Sequence, residues 1–200
     1  MKTASLVATL AAVAIPLAAH ANAGAGHAAP AFTLTDIHGK TVNLADFRGR
    51  TVVLEWNNFG CPFVEKHYGS GNMQALQKRY GADVVWLTVS STSTGSPDYM
   101  KPAAVDTHLH EVGAAPAGYL MDDPGSVGRA YGAKTTPHMF VIDPKGVVVY
   151  NGAIDDKRST NPEDVKTARN YVAAALDEMT AGKPVTTATT APYGCSVHYR

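Results

Sequence analysis

Three short apolar runs limit what this chain can fold into. Thr51–Trp56, Val84–Val89 and Met139–Ile142 are continuous and mostly valine-rich, and none exceeds six residues. Apolar runs this short that do not alternate with polar residues suit strands buried on both faces. The segments between them carry helical spacing. Pro62 opens a pattern that continues to Tyr80, with Phe63, Met73, Leu76 and Tyr80 apolar and a break at Gly69-Ser70-Gly71. Asp123-Pro124 reads as the start of a helix that ends near Gly132. Asn161-Pro162-Glu163 reads as the cap of a final helix with Val165, Ala168, Tyr171, Val172 and Leu176 on one face. Turn signals at 36–40 and 143–146 mark two hairpins, the first joining Ala31–Leu34 to Thr41–Leu44. This order predicts an α/β fold with a mixed central β-sheet flanked by helices on both faces, an N-terminal β-hairpin and a helical insertion at about 90–116.

The first residues stand apart. Lys2, an apolar stretch from Leu6 to Ala19 and the small-residue site Ala21-Asn22-Ala23 follow the order of a secretory signal peptide. The stretch is shorter than the roughly 18–20 residues of a membrane span, so cleavage after Ala23 and export to a periplasm-like compartment are expected. The domain then covers 24–182, after a flexible leader at 24–30, and 183–200 form a flexible C-terminal tail carrying Cys195. The 200-residue chain has 17 basic and 17 acidic residues, and losing Lys2 leaves −1. Such a balance predicts no nucleic-acid partner and no membrane partner after signal cleavage. Two cysteines are too few for a disulfide scaffold or a four-cysteine zinc site.

Cys61 follows the first apolar run and the turn Asn57-Asn58-Phe59-Gly60, and it immediately precedes Pro62. A thiol at a helix start meets free backbone N–H groups and the positive end of the helix dipole, conditions that favour thiolate chemistry. A structural or disulfide-bonded Cys61 is the alternative. Glu55 lies within the apolar strand, where desolvation would raise its pKa and suit it to proton transfer; a solvated glutamate facing an edge is the other reading.

The unit Glu55-Trp56-Asn57-Asn58-Phe59-Gly60-Cys61-Pro62-Phe63-Val64 and the later Thr135-Thr136-Pro137-His138-Met139-Phe140-Val141-Ile142-Asp143 resemble the thioredoxin-like superfamily, in its peroxiredoxin-like and redoxin branch. The resemblance runs from about Ala31 to Leu176. It implies that Cys61 is the redox nucleophile, that Glu55 moves a proton, and that Pro137 is cis and packs against the active sulfur. It also implies that Thr136 offers backbone hydrogen bonds to a substrate, with Pro62 and Phe63 completing the substrate-binding set. Two departures matter. Thioredoxins carry a second cysteine at the position of Val64. Peroxiredoxins carry Ser or Thr at the position of Asn58, and Pro at that of Leu54.

Cys195 can replace the missing cysteine. The 13 residues from Gly182 reach about 43 Å when extended, enough to return across a small domain. It reads as a resolving thiol that closes a reversible disulfide with Cys61, or alternatively as half of a static bridge. The expected function is an exported thiol–disulfide oxidoreductase or thiol-dependent antioxidant without a cofactor. It would act on a thiol or disulfide protein or a small oxidant, and a partner thiol protein would reduce it. A copper- or zinc-binding chaperone using His67, His138 and His198 with the cysteines is the first alternative, since thiolate and imidazole suit those ions. A non-catalytic binding protein with a structural Cys61–Cys195 disulfide is the second. His108-Leu109-His110-Glu111 reads as a solvated helix face, and the Asp pairs at 122–123 and 155–156 as caps or turns.

Overall fold

All three apolar runs become central strands of one seven-stranded sheet. The computed structural model describes residues 23–200, so the signal-peptide reading lies outside the described residues except at Ala23. The strands are β1 (Thr33–Asp36), β2 (Thr41–Asn43), β3 (Thr51–Trp56), β4 (Val84–Ser90), β5 (Gly118–Met121), β7 (His138–Ile142) and β8 (Val148–Gly152), in the order β2-β1-β5-β4-β3-β7-β8. Strands β3, β4 and β5 run parallel, while β7 pairs antiparallel with β3, and β8 with β7. The mixed α/β sheet is as expected. A two-residue strand, β6 (Thr135–Thr136), lies outside it and pairs with β9 (Cys195–Ser196).

Alternate residues of β3 serve opposite faces. Val53 joins Val64, Tyr68, Met73, Leu76, Val172 and Leu176 in a core beneath α1 (Pro62–Gly69), α2 (Asn72–Tyr80) and α5 (Tyr171–Thr180). Val52, Leu54 and Trp56 join Phe32, Val42, Val127, Tyr131 and Phe140 on the other face, covered by the hairpin and α4 (Ser126–Tyr131). The insertion forms α3 (Pro102–Glu111), whose Val105 and Leu109 pack on Tyr119.

Two helix starts differ from expectation. Gly125 adopts φ +69 and delays α4 to Ser126, so Asp122 rather than Asp123 receives the N–H groups of Val127 and Gly128. Asn161 caps only a 3-10 turn at Pro162–Lys166. The helix proper begins at Tyr171 under Asn170, whose Oδ1 accepts the Ala173 N–H at 2.9 Å, because the residues it buries start at Val172.

The two ends of the described chain also depart from the sequence reading. Of residues 24–30 and 183–200, expected to be a flexible leader and a flexible tail, residues 26–29 of the first and 188–190 of the second lie along the outer strand β8. The Gly26 N–H donates to the Val148 carbonyl and the Val148 N–H to the His27 carbonyl, while the Asn151 N–H donates to the Ala188 carbonyl and the Asn151 carbonyl accepts the Thr190 N–H. The physical reason is the open edge of β8, whose N–H and C=O groups need partners.

Candidate active site

The turn after β3 is built by an asparagine. Asn58 Oδ1 accepts the Gly60 N–H at 2.8 Å and its carbonyl accepts the Cys61 N–H at 3.0 Å, which turns the chain sharply into α1. Cys61 is the N-cap of α1, with Pro62 next. Its carbonyl accepts the N–H groups of Val64 and Glu65, but its sulfur takes no hydrogen bond from the first helical turn. The expected N–H contacts to sulfur are therefore absent, because the Cys61 side chain points the other way. There Sγ lies 3.0 Å from the Thr136 carbonyl oxygen and 2.7 Å from Cys195 Sγ. Both cysteines are free thiols. Only a small further approach separates them from the roughly 2.05 Å of a disulfide.

The Thr136–Pro137 peptide bond is cis, and both residues are buried. Thr136 is paired directly opposite Cys195 in the β6–β9 ladder, so in this state the edge expected to receive a substrate is occupied by the tail. Pro62 is exposed at the helix start, and Phe63 packs edge-on against the Tyr193 ring with centroids 5.7 Å apart. Val64 is fully buried in the core, so the second thiol arrives from the tail rather than from α1.

Cys61 is 1% exposed, whereas Cys195 is half-buried. Burial first, and then the hydrogen bond and charge of Cys61 and the charge of Asp98, push the Cys195 thiol up to about 12. It is therefore a thiol at neutral pH.

Glu55 is fully buried on the α1 face of β3. It accepts hydrogen bonds from Asn57 Nδ2, Tyr68 OH and Trp86 Nε1, each at 2.9 Å at its closest. Burial raises its pKa, and these donors only partly offset that. The solvated-edge alternative is excluded. Cys61 is not among the hydrogen-bond partners of Glu55, so any proton exchange between them needs an intermediary.

The histidines do not converge. His67 Nδ1 faces Asn72 at 2.9 Å and its Nε2 faces the Tyr193 hydroxyl at 3.2 Å. His138 accepts the Lys134 N–H and packs on Phe140, while His198 sits by Asp98 and Ser96. Among the described residues no three His, Cys, Asp or Glu side chains come together in a way that could hold a metal ion. His108, expected on a solvated face, packs its ring 4.4 Å from that of Phe59 in the Cys61 turn, so the insertion borders the site.

Sequence reasoning missed a buried polar cluster beside the thiols. Lys66 and Asp155 form an ion pair at 3.5 Å with both side chains buried, and the Tyr193 hydroxyl donates to Asp155 Oδ1. Lys66 also donates to the Lys157 carbonyl at 2.8 Å. A lysine and a histidine side by side on the helix that Cys61 starts were the available signal. Their partners come from elsewhere in the chain, and spacing does not reveal them.

Comparison with known proteins agrees with this architecture. The chain resembles the thiol-disulfide oxidoreductase ResA of Bacillus thuringiensis subsp. konkukian at 26% identity over 125 residues, 62% of this chain and 66% of that protein. It thus spans slightly less than two thirds of that relative. An uncharacterized conserved protein from Geobacillus kaustophilus superposes with a TM-score of 0.76 at 28% identity, covering 88% of this chain and 92% of the other. A candidate thiol:disulfide interchange protein DsbE from Chlorobium tepidum gives 0.53 at 26% identity, over 64% and 83%. The family model described as Redoxin matches residues 24–171. With its thioredoxin-like fold, this chain belongs to the Redoxin family.

Proposed function

We propose that the chain is an exported thiol–disulfide oxidoreductase, with Cys61 as the nucleophile and Cys195 as the resolving thiol. The observation that carries this reading is the approach of the two sulfurs to 2.7 Å beside the cis Thr136–Pro137 bond, at the start of α1. The names of the ResA and DsbE relatives support the activity, and the pattern of residues 1–23 supports export.

The Cys61 thiolate attacks one sulfur of a substrate disulfide. A mixed disulfide forms and the other substrate sulfur leaves as thiolate. Cys195 then loses its proton and attacks the Cys61 sulfur, which releases the second substrate thiolate and leaves the Cys61–Cys195 disulfide. Two electrons have passed to the substrate, and a dithiol partner restores the pair by the reverse exchange. Glu55 takes part through the Tyr68 and Asn57 hydrogen bonds, holding or releasing a proton beneath the site. A small oxidant such as a hydroperoxide would enter the same cycle. Its oxygen would convert Cys61 to a sulfenic acid with loss of the alcohol, and Cys195 would displace water to give the same disulfide.

Insulin reduction driven by a dithiol tests this reading. Cys61→Ser should fall to background. Cys195→Ser should lose about tenfold, because the second exchange no longer happens within one molecule. Wild-type rates in both variants would falsify the proposal. A Cys61–Cys195 potential below about −300 mV would instead identify a structural bridge, and hydroperoxide consumption tests the antioxidant branch.

A further inference from the structure

The tail strand β9 occupies the edge of β6, where an extended chain would pair beside Cys61. Cys195 faces Thr136, and Ser196 faces Thr135. Gly194 precedes the thiol with φ +139, and a Cβ there would lie 2.0 Å from the Thr136 carbonyl oxygen, so only glycine brings the tail this close. Just before it, the Tyr193 ring packs on Phe63, and its hydroxyl enters the cluster of Lys66, His67 and Asp155. The tail thus holds one polar anchor close to the thiol, in a receptacle made largely by the helix that Cys61 starts.

We propose that Tyr193 is a latch. Seated in the Lys66–His67–Asp155 cluster, it holds Cys195 against Cys61 and closes the β6 edge; released, it opens that edge to an extended segment of a disulfide-bearing polypeptide. This proposal rests on the exchange reading above and deepens it by naming the substrate class and the residue that controls access.

The energetics suit a reversible device. With the tail down, the Tyr193 hydroxyl supplies a hydrogen bond to the buried Asp155 carboxyl, which also accepts the Lys157 N–H at 2.9 Å. Asp155 Oδ2 has no hydrogen-bond donor, only Lys66 at 3.5 Å and His67 at 3.9 Å. Leaving such a group dry and underpaired is costly, whereas lifting the tail lets water reach it. The hydroxyl therefore tips the balance towards the closed form, and the polar receptacle makes opening tolerable. Tyr193 acts through Cys195, so it is a positioning residue.

The test is the rate at which iodoacetamide alkylates Cys61 in full-length protein carrying Cys195→Ser, where no disulfide can form. Adding Tyr193→Phe keeps the ring but removes the hydroxyl, and alkylation should quicken about tenfold. Adding Gly194→Ala, which pushes the strand off Thr136 from a separate anchor, should quicken it at least as much. With Cys195 intact, Tyr193→Phe should lower KM for insulin, which needs both the sulfur and the β6 edge, more than KM for a small disulfide such as hydroxyethyl disulfide, which needs the sulfur alone. Parent alkylation rates in both variants, or an unchanged KM for insulin, overturn the latch, and an equal change in the two KM values overturns the polypeptide substrate class. Alkylation of Cys61 needs no second thiol and no disulfide exchange, so a failed latch is distinguishable from a failed exchange reading, which Cys61→Ser tests separately.

Discussion

At the scale of single residues, Glu55 carries the clearest consequence. Its folded-state pKa lies above the ordinary value because burial outweighs the hydrogen bonds donated to it. The folded protein then holds this proton at a pH where the unfolded chain has lost it. The stability it contributes is complete below about pH 4.5 and lost as pH rises through the folded value. Wild type should therefore gain stability relative to Glu55→Gln as pH falls from 7 towards 4.5, read from urea midpoints at each pH. The pH profile of insulin reduction should flatten in the same variant. A parallel pair of stability curves and an unchanged rate profile would remove Glu55 from both roles.

At the scale of elements, the tail's seat on β8 depends on a missing side chain. A Cβ at Gly152, where φ is +148, would lie 2.2 Å from Thr190 Oγ1 and 2.5 Å from its carbonyl oxygen. Thr190 Oγ1 also bonds Tyr150 OH and the Ala153 N–H. Gly152→Ala should cost roughly 1–3 kcal/mol from backbone strain and overpacking. Exchange of the Asn151 and Thr190 amide protons should accelerate. The legibility of the fold divides along the same line. Strands β3, β4 and β7 showed in the sequence because burial on both faces demands an unbroken apolar run. Cys61 showed because its place before Pro62 is local. The tail did not, since a Thr-, Ala- and Pro-rich segment carries no periodicity and its pairing with β6 and β8 is long-range. Lys66 escaped notice because a lysine in a helix is ordinarily solvated, and only the fold brings Asp155 to it. The shift of the last helix from Asn161 to Asn170 has another cause: both residues cap equally well, and burial of Val172 decided between them.

At the scale of the whole molecule, two buried imidazoles set the response to acid. Burial pushes His67 and His138 down to about 4 each; Asp155 partly opposes this at His67, and Lys134 adds to it at His138. The unfolded chain protonates these groups from about pH 6.5 while the folded one does not, so stability is lost as pH falls from 6.5 to 4, by about 3 kcal/mol per histidine at most. Glu55 opposes this loss. Denaturant midpoints should nevertheless drop across that interval, and His138→Asn, which keeps an acceptor for the Lys134 N–H, should remove about half of the histidine contribution. A midpoint independent of pH there would contradict both assignments.

The outer strand β8 is sheltered at one end by residues 26–29 and at the other by 188–190. This edge of the sheet is thereby closed off from neighbours in solution by two segments near the ends of the described chain. A protein cut before Ala188 would present unpaired N–H and C=O groups at Asn151, a template for adding a strand from another molecule. Such a shortened chain should self-associate as its concentration rises, visible as a growing light-scattering mass, while the intact one should not. The same tail that delivers a thiol to one end of the molecule would then keep the sheet from polymerising at its flank.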